Sequence, residues 1–340
     1  MIQYNLGTFS TLSTIMIISV SHLSKMYKSH KRDTGFLGSV QSLFHRKHET
    51  IKAIDDISFS IDEGELVGFI GPNGAGKTTT LKCLSGLLYP EAGSIEIVGF
   101  LPFERKSNFL KQIALVMGQK NQLWWDLPVM ETLLLNKEIY EIGDAQFQQT
   151  VEELSTLLDV ADLLSIQAKK LSLGQRMKCE LIAALIHSPK VLFLDEPTIG
   201  LDVVMQAKLR AFIKEYNQKY KATILLTSHY MRDVEELCER IIIIDHGKIL
   251  FDGKLLDIVK KHAKHKRIAI VLKKEIKQSD LEQFGEVVVF EPPKSIISVP
   301  REKASVITGK LLKKFSVADI VIEEPDIEEV IRDVFREKKI

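Results

Sequence analysis

A glycine-rich loop follows a short apolar segment in the stretch GFIGPNGAGKTTTLKCL, which begins at Gly68. The loop has the spacing G-x-x-x-x-G-K-[ST], with Lys77 and Thr78 at its end, and a helical pattern follows it. Glycines let backbone N–H groups surround phosphates, Lys77 can reach the outer phosphates, and Thr78 offers a hydroxyl to Mg²⁺. The pattern predicts a nucleotide site made of Gly71, Pro72, Asn73, Gly74, Ala75, Gly76, Lys77, Thr78 and Thr79.

Two carboxylates follow another apolar segment, VLFLDEP. At the end of this predicted strand Asp195 can hold Mg²⁺, and Glu196 can act as a general base on an attacking water. Taken alone, carboxylates after a strand are often only helix caps. The interpretation as a catalytic pair therefore depends on the phosphate loop in the same chain.

Three further residues are candidates for the same site. His229 ends the segment TILLTSH, where a histidine is often structural and could instead orient the γ-phosphate. Gln119, in ALVMGQKNQLWWDLP, lies where a strand leaves for a helical region, from which it could reach Mg²⁺ or the attacking water. Tyr27, in LSKMY, is either a core aromatic or a stacking face for adenine.

The segment LSLGQRMKCELIAALI predicts a helix that begins with a second anion site. Met177, Leu181 and Leu185 recur at helical spacing, with Lys178 and Glu180 as the polar positions between them. A helix start presents unpaired N–H groups and a positive dipole end, so it can bind an anion. The residues at this start are Ser172, Gly174 and Gln175.

The elements that must position these residues alternate between short apolar segments and longer helical patterns. Four near-continuous apolar segments predict strands buried on both faces, as in parallel sheets flanked by helices: residues 65–71, 190–196, 222–228 and 240–245. Residues 51–62 and 94–99 predict an accessory antiparallel part, and 126–170 predict a helical insertion. The predicted fold class is α/β.

The chain also divides along its length. Residues 1–15 resemble a loose tail, so Met16 is a candidate start, and 16–260 are the predicted nucleotide-binding domain. Residues 29–50 interrupt it, as a solvated loop or as an amphipathic segment that touches a partner or lipid headgroups. A lysine-rich linker is expected at 259–267, before a small α+β domain at 267–340, whose role is left open. That domain has predicted strands at 267–273, 286–291, 295–299 and 317–323, and predicted helices at 301–315 and 326–337.

Composition excludes several classes of protein. The 340 residues carry a formal net charge of +1, so no overall field favours nucleic acid as a partner. Three cysteines without a CxxC pair suggest reduced, cytosolic thiols, and the nine histidines form no evident metal-ligand cluster. No apolar segment approaches the roughly 18 residues of a membrane helix, and the N-terminus lacks the basic region and cleavage pattern of a secretory signal.

In their order and spacing, Tyr27, GPNGAGKTT, Gln119, LSLGQ, LFLDEP, IGLD and His229 resemble the ATP-binding subunit of an ABC transporter. The resemblance covers residues 16 to about 260 and implies a P-loop NTPase core, with ATP and Mg²⁺ as cofactors. GQKNQLWWDLP and the region from LSLGQ to IGLD are most similar to single-domain ATPases with separate, export-type membrane subunits. One departure is Leu173, where the family pattern LSGGQ has glycine; backbone approach to an anion could be altered there.

The resemblance also implies an assembly. In this family two ATPase domains face each other head to tail, so the helix start at Ser172 of one copy would grip the γ-phosphate held by the phosphate loop of the other, which is a second copy or a related subunit. Asp202, in IGLD, is expected at the same seam, as a helix N-cap, or in both roles together. Trp124 and Trp125 cannot easily both be core, and one is expected to line a groove for a membrane subunit.

The implied activity is hydrolysis of ATP that powers export through separate permease subunits, from the cytoplasmic face of the membrane. An ABC ATPase that acts on ribosomes or DNA is the first alternative, but it usually has tandem domains or long coiled coils. An uptake-type transporter ATPase is the second alternative. A non-hydrolysing regulatory subunit is disfavoured by the presence of Glu196 and His229.

Overall fold

A computed structural model describes residues 16–30, 48–118, 120–262 and 264–337. The predicted tail at 1–15, residues 31–47 of the predicted loop and Gln119 lie outside this description. The chain divides into two compact units, and the division falls between Asp252 and Gly253. The sequence placed the end of the first domain later, at 260.

The first unit alternates strands and helices, as the apolar segments predict. Its strands are β1 Met16–His30, β2 His48–Asp62, β3 Leu66–Ile70, β4 Ala92–Ile97, β5 Ile113–Met117, β6 Val191–Asp195, β7 Thr223–Thr227, β8 Arg240–Asp245 and β9 Lys248–Lys254. Its helices are α1 Lys77–Leu84, α2 Ser107–Leu110, α3 Val129–Tyr140, α4 Asp144–Leu157, α5 Leu173–Leu185, α6 Val203–Tyr220 and α7 Met231–Leu237.

A six-stranded sheet with the order β5-β6-β7-β3-β8-β9 forms the centre of this unit. The pairs β5–β6, β6–β7, β7–β3 and β3–β8 are parallel. All residues of β6 and β7 are buried, which explains why their sequences are continuous apolar runs rather than alternating ones. The carboxyl ends of β6, β7 and β3 therefore lie side by side at one edge of the sheet.

A smaller antiparallel sheet has the order β2-β1-β4, as the sequence predicts for 51–62 and 94–99. Its buried residues, including Ile18, Leu23, Ile57 and Ile95, share one apolar core with Phe69 of the central sheet. The predicted helical insertion consists of α3, α4 and two short 3₁₀ turns. Its helices and α5 bury an apolar face that includes Leu133, Phe147 and Leu154.

The second unit is a four-stranded antiparallel sheet with helices, and its strand order is β11-β12-β10-β13. In chain order its elements are α8 Leu255–His262, β10 His265–Leu272, α9 Ser279–Glu282, β11 Glu286–Glu291, β12 Lys294–Pro300, α10 Ala304–Lys314, β13 Val317–Glu323 and α11 Ile327–Glu337. The strands and the two long helices match the predicted ones. The prediction of a linker at 259–267 is wrong, because these residues end α8, which packs against α11, and begin β10.

A buried ionic network holds the elements behind the sheet edge together. Asp233, on α7, is fully buried and accepts hydrogen bonds from Arg210 Nη1 at 2.9 Å, Thr198 Oγ1 at 2.5 Å and Ser228 Oγ at 2.6 Å. Arg210, on α6, also donates through Nε to Glu236 at 2.7 Å. The network ties the loop after β6 and the end of β7 to two helices, so it fixes both segments that carry the candidate catalytic residues.

We expect Arg210→Met to lower the free energy of unfolding by about 3–5 kcal/mol, because it leaves the Asp233 carboxylate buried without its cationic partner. Arg232→Met is the matched control: Arg232 donates to the same Glu236, but its side chain is 66% exposed against 2% for Arg210. The control should cost no more than about 1 kcal/mol. Urea denaturation of both variants measures the difference, and equal losses would contradict a structural role for the buried pair.

Candidate functional site

The structure brings two of the three predicted metal ligands, Thr78 and Asp195, together at the sheet edge. Thr78, in the first turn of α1, donates from Oγ1 to Asp195 Oδ2 at 2.8 Å. Thr227, paired with Asp195 across β6 and β7, donates to the other carboxylate oxygen, Oδ1, also at 2.8 Å. Both oxygens of this buried carboxylate are thus oriented by hydroxyl groups, and one of them faces the end of the phosphate loop.

Lys77 lies within the phosphate loop. Its ammonium donates to the carbonyl oxygens of Gly71 at 2.7 Å and Pro72 at 3.0 Å. Burial lowers the pKa of Lys77, while the negative charges of Glu196 and Asp195 oppose that shift. The loop therefore places a cation close to the carboxylates at the strand ends, where the outer phosphates of a nucleotide would need it.

Two glycines of the loop are fixed by close backbone contacts. A Cβ at Gly71 would lie 2.1 Å from the carbonyl oxygen of Ile244, and one at Gly76 would lie 2.3 Å from that of Ala53. Gly76 also has a φ of +111°, and it precedes α1, whose first turn carries no acidic residue. Only glycine fits these positions without displacing the backbone, and the start of α1 suits an anion.

Glu196 and His229 form a pair next to the metal ligands. His229 Nε2 is 2.5 Å from Glu196 Oε1, and the Glu196 side chain is only 14% exposed. The Glu196 backbone has a left-handed φ of +55°, and its N–H donates to the carbonyl oxygen of Thr227 at 3.1 Å. The turn after β6 thus directs this carboxylate toward His229, away from the helix-cap geometry that was the alternative.

A cleft of about 150 Å³ opens between these segments, and Thr78, Asp195, Glu196 and Gly118 line it together with Lys82 and Lys120. Gly118 donates its N–H to the carbonyl oxygen of Asp195 at 2.8 Å. A Cβ at Gly118 would lie 2.1 Å from the carbonyl oxygen of Glu196. The chain that leads into Gln119 therefore touches the carboxylate turn directly, whereas the role of Gln119 itself stays a prediction.

The donor atoms at the cleft suit Mg²⁺ better than a transition metal. Thr78 and Asp195 supply hard oxygen ligands close together, and Mg²⁺ in nucleotide sites takes one or two such protein ligands and completes its shell with phosphates and waters. Across the described ranges, no group of three histidine, cysteine or carboxylate side chains has a metal-binding arrangement. The two oxygens fit an ion that is held jointly with a phosphate chain.

The predicted second anion site lies at the start of α5, which is closed by a capping box. Ser172 Oγ accepts from the Gln175 N–H at 3.2 Å, and the Gln175 side chain accepts from the Ser172 N–H at 2.9 Å. Gly174 lies against α6, where an added Cβ would be 3.0 Å from Met205 Cε. The helix start is therefore rigid, and Leu173, the departure from the family pattern, projects outward with 37% exposure. Anion binding at this start stays a prediction.

Asp202 and Tyr27 each adopt one of the arrangements expected for them. Asp202 caps α6, because its Oδ1 accepts from the Met205 N–H at 2.9 Å, and the predicted N-cap is confirmed. Its place at a subunit seam stays a prediction. The Tyr27 ring is 40% exposed rather than buried in the core, with the Lys25 ammonium 5.8 Å from its centroid. An exposed ring is free to stack on a flat ligand.

Both tryptophans lie outside the core, since 57% of Trp124 and 45% of Trp125 is exposed. The Arg176 guanidinium, on α5, lies 5.5 Å from the centre of the Trp125 ring. These rings border the segment that runs from Gly118 into the helical insertion. They form an exposed aromatic surface, which follows the cleft segment closely in sequence and contacts the capped helix through Arg176.

The helix α5 buries the two charged residues that lie between its apolar positions. Lys178 and Glu180 are only 8% and 2% exposed. Burial raises the pKa of Glu180 to about 7, against opposing effects of Arg176, whose Nε is 3.6 Å away, and of the Gln122 backbone amide. Helical periodicity does not reveal the burial of these two residues. Every residue from 177 to 185 is buried, so this stretch has no polar face.

Comparison with known proteins agrees with this arrangement. The family model described as ABC transporter matches residues 54–199, and the model described as EvrA-like ABC transporter, C-terminal domain, matches 264–323. The ATP-binding protein NatA of Bacillus subtilis is 34% identical over 212 residues, which cover 62% of this chain and 86% of NatA. The chain belongs to the ATP-binding proteins of ABC transporters. The predictions of this family and of an ATPase are confirmed.

A solved structure of an ABC transporter subunit has the same fold as this ABC ATPase. A structure of the ATP-binding subunit of an ABC transporter superimposes with a TM-score of 0.60 at 27% identity, and covers 72% of this chain and 92% of that one. The predicted P-loop fold is confirmed. Among the described residues of this ABC protein, no helix combines the length and the apolar character that a membrane crossing requires.

Relatives of this ABC ATPase are named for opposite directions of transport. A methionine import ATP-binding protein of Enterococcus faecalis is 31% identical and covers 66% of each chain. A Nod factor export ATP-binding protein of Burkholderia pseudomallei is 34% identical and covers 61% of this chain and 68% of the relative. Similarity to these proteins supports a transporter subunit and leaves the direction of transport open.

We expect Glu180→Gln in this ABC ATPase to change how stability depends on pH. Between about pH 5 and 7 the folded chain retains a Glu180 proton that the unfolded chain has lost, so the wild type should lose free energy of unfolding as pH rises. The variant lacks this dependence. As pH rises from 5 to 8, its free energy of unfolding should increase relative to that of the wild type by on the order of 1–3 kcal/mol. Urea denaturation at both pH values measures it.

Glu131→Gln, at an exposed position of α3, is the control for that measurement and should follow the wild type at both pH values. A Glu180→Gln variant whose stability tracks the wild type at every pH would show that the folded-state pKa is not raised.

Proposed function

We propose that the protein is the ATP-hydrolysing subunit of an exporter, paired with separate membrane-spanning subunits. The observation that carries the catalytic part is the arrangement at one sheet edge: Glu196 and His229 in contact, beside the Thr78–Asp195 pair and the phosphate loop. Each of these groups suits a different part of phosphoryl transfer to water, which depends on positioning and on stabilisation of charge.

In the proposed mechanism the backbone N–H groups of residues 71–79 and the Lys77 ammonium bind the phosphates of ATP. Thr78 and Asp195 would hold Mg²⁺, and the bound ion would neutralise phosphate charge. Glu196 accepts a proton from the attacking water, and its contact with His229 keeps Oε1 in a fixed direction. His229 and Gln119 orient the γ-phosphate. The exposed Tyr27 ring stacks on adenine.

The proposed active unit contains two ATPase domains. In the described part of the chain, α5 contributes no residue to the lining of the cleft at Asp195 and Glu196. Its capped start would then act on ATP bound by another domain, with Ser172, Gly174 and Gln175 facing that γ-phosphate. The second domain is a second copy of this chain or a related subunit, and Asp202 lies at the seam between them.

The proposed membrane contact is the exposed aromatic surface of Trp124 and Trp125. Its position between the Gly118 segment and α5 would let a membrane subunit respond to changes at the cleft. This assigns the protein to the cytoplasmic face of the membrane, as a peripheral subunit. Export is proposed because GQKNQLWWDLP and the motifs from LSLGQ to IGLD resemble those of single-domain ATPases with export-type membrane subunits. Uptake is the alternative, which the methionine import relative favours, and a binding-protein gene beside this gene would support it.

We expect Glu196→Gln to reduce ATP hydrolysis by about 10²–10⁴-fold, because the general base is lost while the binding groups remain. With ATP and Mg²⁺ the variant should accumulate as a dimer, measured as solution mass by light scattering after size-exclusion chromatography. The control is the double variant Glu196→Gln and Lys77→Ala, which should stay monomeric because its phosphate contacts are weakened.

A dimer that forms only with ATP would support the shared site and a homodimer. A Glu196→Gln variant that hydrolyses ATP at the wild-type rate would contradict the assignment of the general base. A variant that stays monomeric with ATP would contradict homodimerisation in favour of a different partner domain.

We expect Trp124→Ala and Trp125→Ala to weaken association with membranes that contain the partner subunits, since each removes an exposed ring of the proposed contact. Val306→Ala, which shortens an exposed apolar side chain in the second unit, is the control and should associate normally. Co-sedimentation with vesicles that contain the partner membrane subunits measures the effect, and ATPase activity without membranes checks that the fold is intact. Normal association of both tryptophan variants would rule out this surface.

A further inference from the structure

A pocket of about 260 Å³ lies in the first unit, away from the cleft at Asp195. It is lined by the C-terminal end of α4, the first turns of α5 and one side of α6. Most of its wall is apolar, from Leu158, Met177, Leu209 and Phe212 among others. The pocket shares no lining residue with the cleft at Asp195, and of the residues predicted to face the nucleotide of another domain only Gly174 lines it.

One charged side chain is buried in the wall of this pocket. Lys178, on α5, is 8% exposed, and its ammonium donates to the carbonyl oxygen of Asp159 at 3.5 Å, the outer limit of a hydrogen bond. An ammonium group has three donors and no acceptor, and burying it with weak partners is unfavourable. Burial lowers the pKa of Lys178, and the positive charge of Lys208 lowers it further, while Asp159 opposes both.

The other charged groups that line the pocket are exposed. Lys208, Asp159 and Glu215 all reach solvent, so water screens them at the rim. The charge inside the pocket is therefore positive, even though the rim carries both signs. An anionic group would accept hydrogen bonds from Lys178, whereas a cation would be repelled by the buried ammonium.

The volume limits the size of a ligand. An apolar cavity of about 150 Å³ accepts a six-carbon ring, so a pocket of this size suits a molecule of about ten non-hydrogen atoms. Its apolar walls require that most of those atoms be carbon. A chain of about eight carbons that ends in one carboxylate meets both conditions.

We propose that this pocket binds a medium-chain monocarboxylate, with the carboxylate on the Lys178 ammonium and the hydrocarbon chain between α4, α5 and α6. The ligand would touch Gly174 and Met205, which also line the pocket. Met205 in turn gives its N–H to the cap residue Asp202. A bound ligand would therefore change the contact between the start of α5 and the start of α6. That this change alters ATP hydrolysis rests on the proposed function of Ser172 and Asp202.

The test measures binding of octanoate to the full chain without nucleotide, by isothermal titration calorimetry at pH 7.5. The wild type should bind one octanoate saturably below about 5 mM, as expected for so small a ligand. Octylamine, which has the same chain and a positive charge, should not bind measurably. 1-Octanol should bind at least tenfold more weakly than octanoate.

Lys178→Met keeps an apolar chain of similar length and removes the ammonium. We expect it to weaken octanoate binding by tenfold or more and to change 1-octanol binding by less than threefold. Lys208→Met is the matched control at the exposed rim, and its octanoate affinity should remain within threefold of the wild type. Equal octanoate affinity in Lys178→Met and the wild type, or no saturable binding to the wild type, would overturn the proposal.

Ala211→Phe tests the pocket without changing Lys178, and it decides the matter if Lys178→Met does not fold. Ala211 lines the pocket at an exposed position, so a larger side chain there narrows the pocket with little effect on the core. Octanoate affinity should fall at least tenfold, and unchanged affinity would overturn the assignment. A second measurement, of ATPase activity with and without octanoate, separates binding from regulation: binding without an effect on activity would overturn only the regulatory step.

Discussion

The hydrogen bonds of the Asp195 carboxylate are the interaction on which this molecule depends. One oxygen accepts from Thr78 of the phosphate loop and the other from Thr227 of the neighbouring strand. These bonds form only if β6 and β7 pair in the observed parallel register and β3 delivers α1 to the same edge. The buried Asp233 network then holds the two loops behind that edge, because it bonds Thr198 after β6 and Ser228 after β7 to Arg210 of α6.

Much of this arrangement can be predicted from sequence, for a physical reason. Strands buried on both faces are continuous apolar runs, glycines at close backbone contacts have no substitute, and carboxylates at the ends of parallel strands converge. The segments VLFLDEP and GPNGAGKTT therefore reveal both the sheet and its functional edge. Tyr27 had two expected arrangements, because one residue type serves both, and only the exposure of the ring distinguishes them. Asp202 caps α6, and this contact is compatible with its predicted place at a subunit seam.

Other features escape the sequence because they depend on what surrounds a residue. Periodicity gives no sign that Lys178 and Glu180 are buried, but α5 packs against α3, α4 and β5 and shares a pocket wall with α6, so both charged residues are buried. The lysine-rich segment at 259–267 has the composition of a linker, yet apolar Ile258 and Val259 anchor α8 against its own unit. In both cases tertiary packing overrides the local pattern.

The contact between Gly118 and the Glu196 carbonyl bears on how this site can evolve. With 2.1 Å available to a Cβ, no other residue fits at position 118 unless β5 or the turn after β6 moves away. A displacement of either backbone therefore requires a matching displacement of the other, since neither can move toward its partner alone. Side chains of these segments that point away from the contact are free of this constraint, so substitutions there can change the chemistry of the cleft without changing the distance between the two backbones.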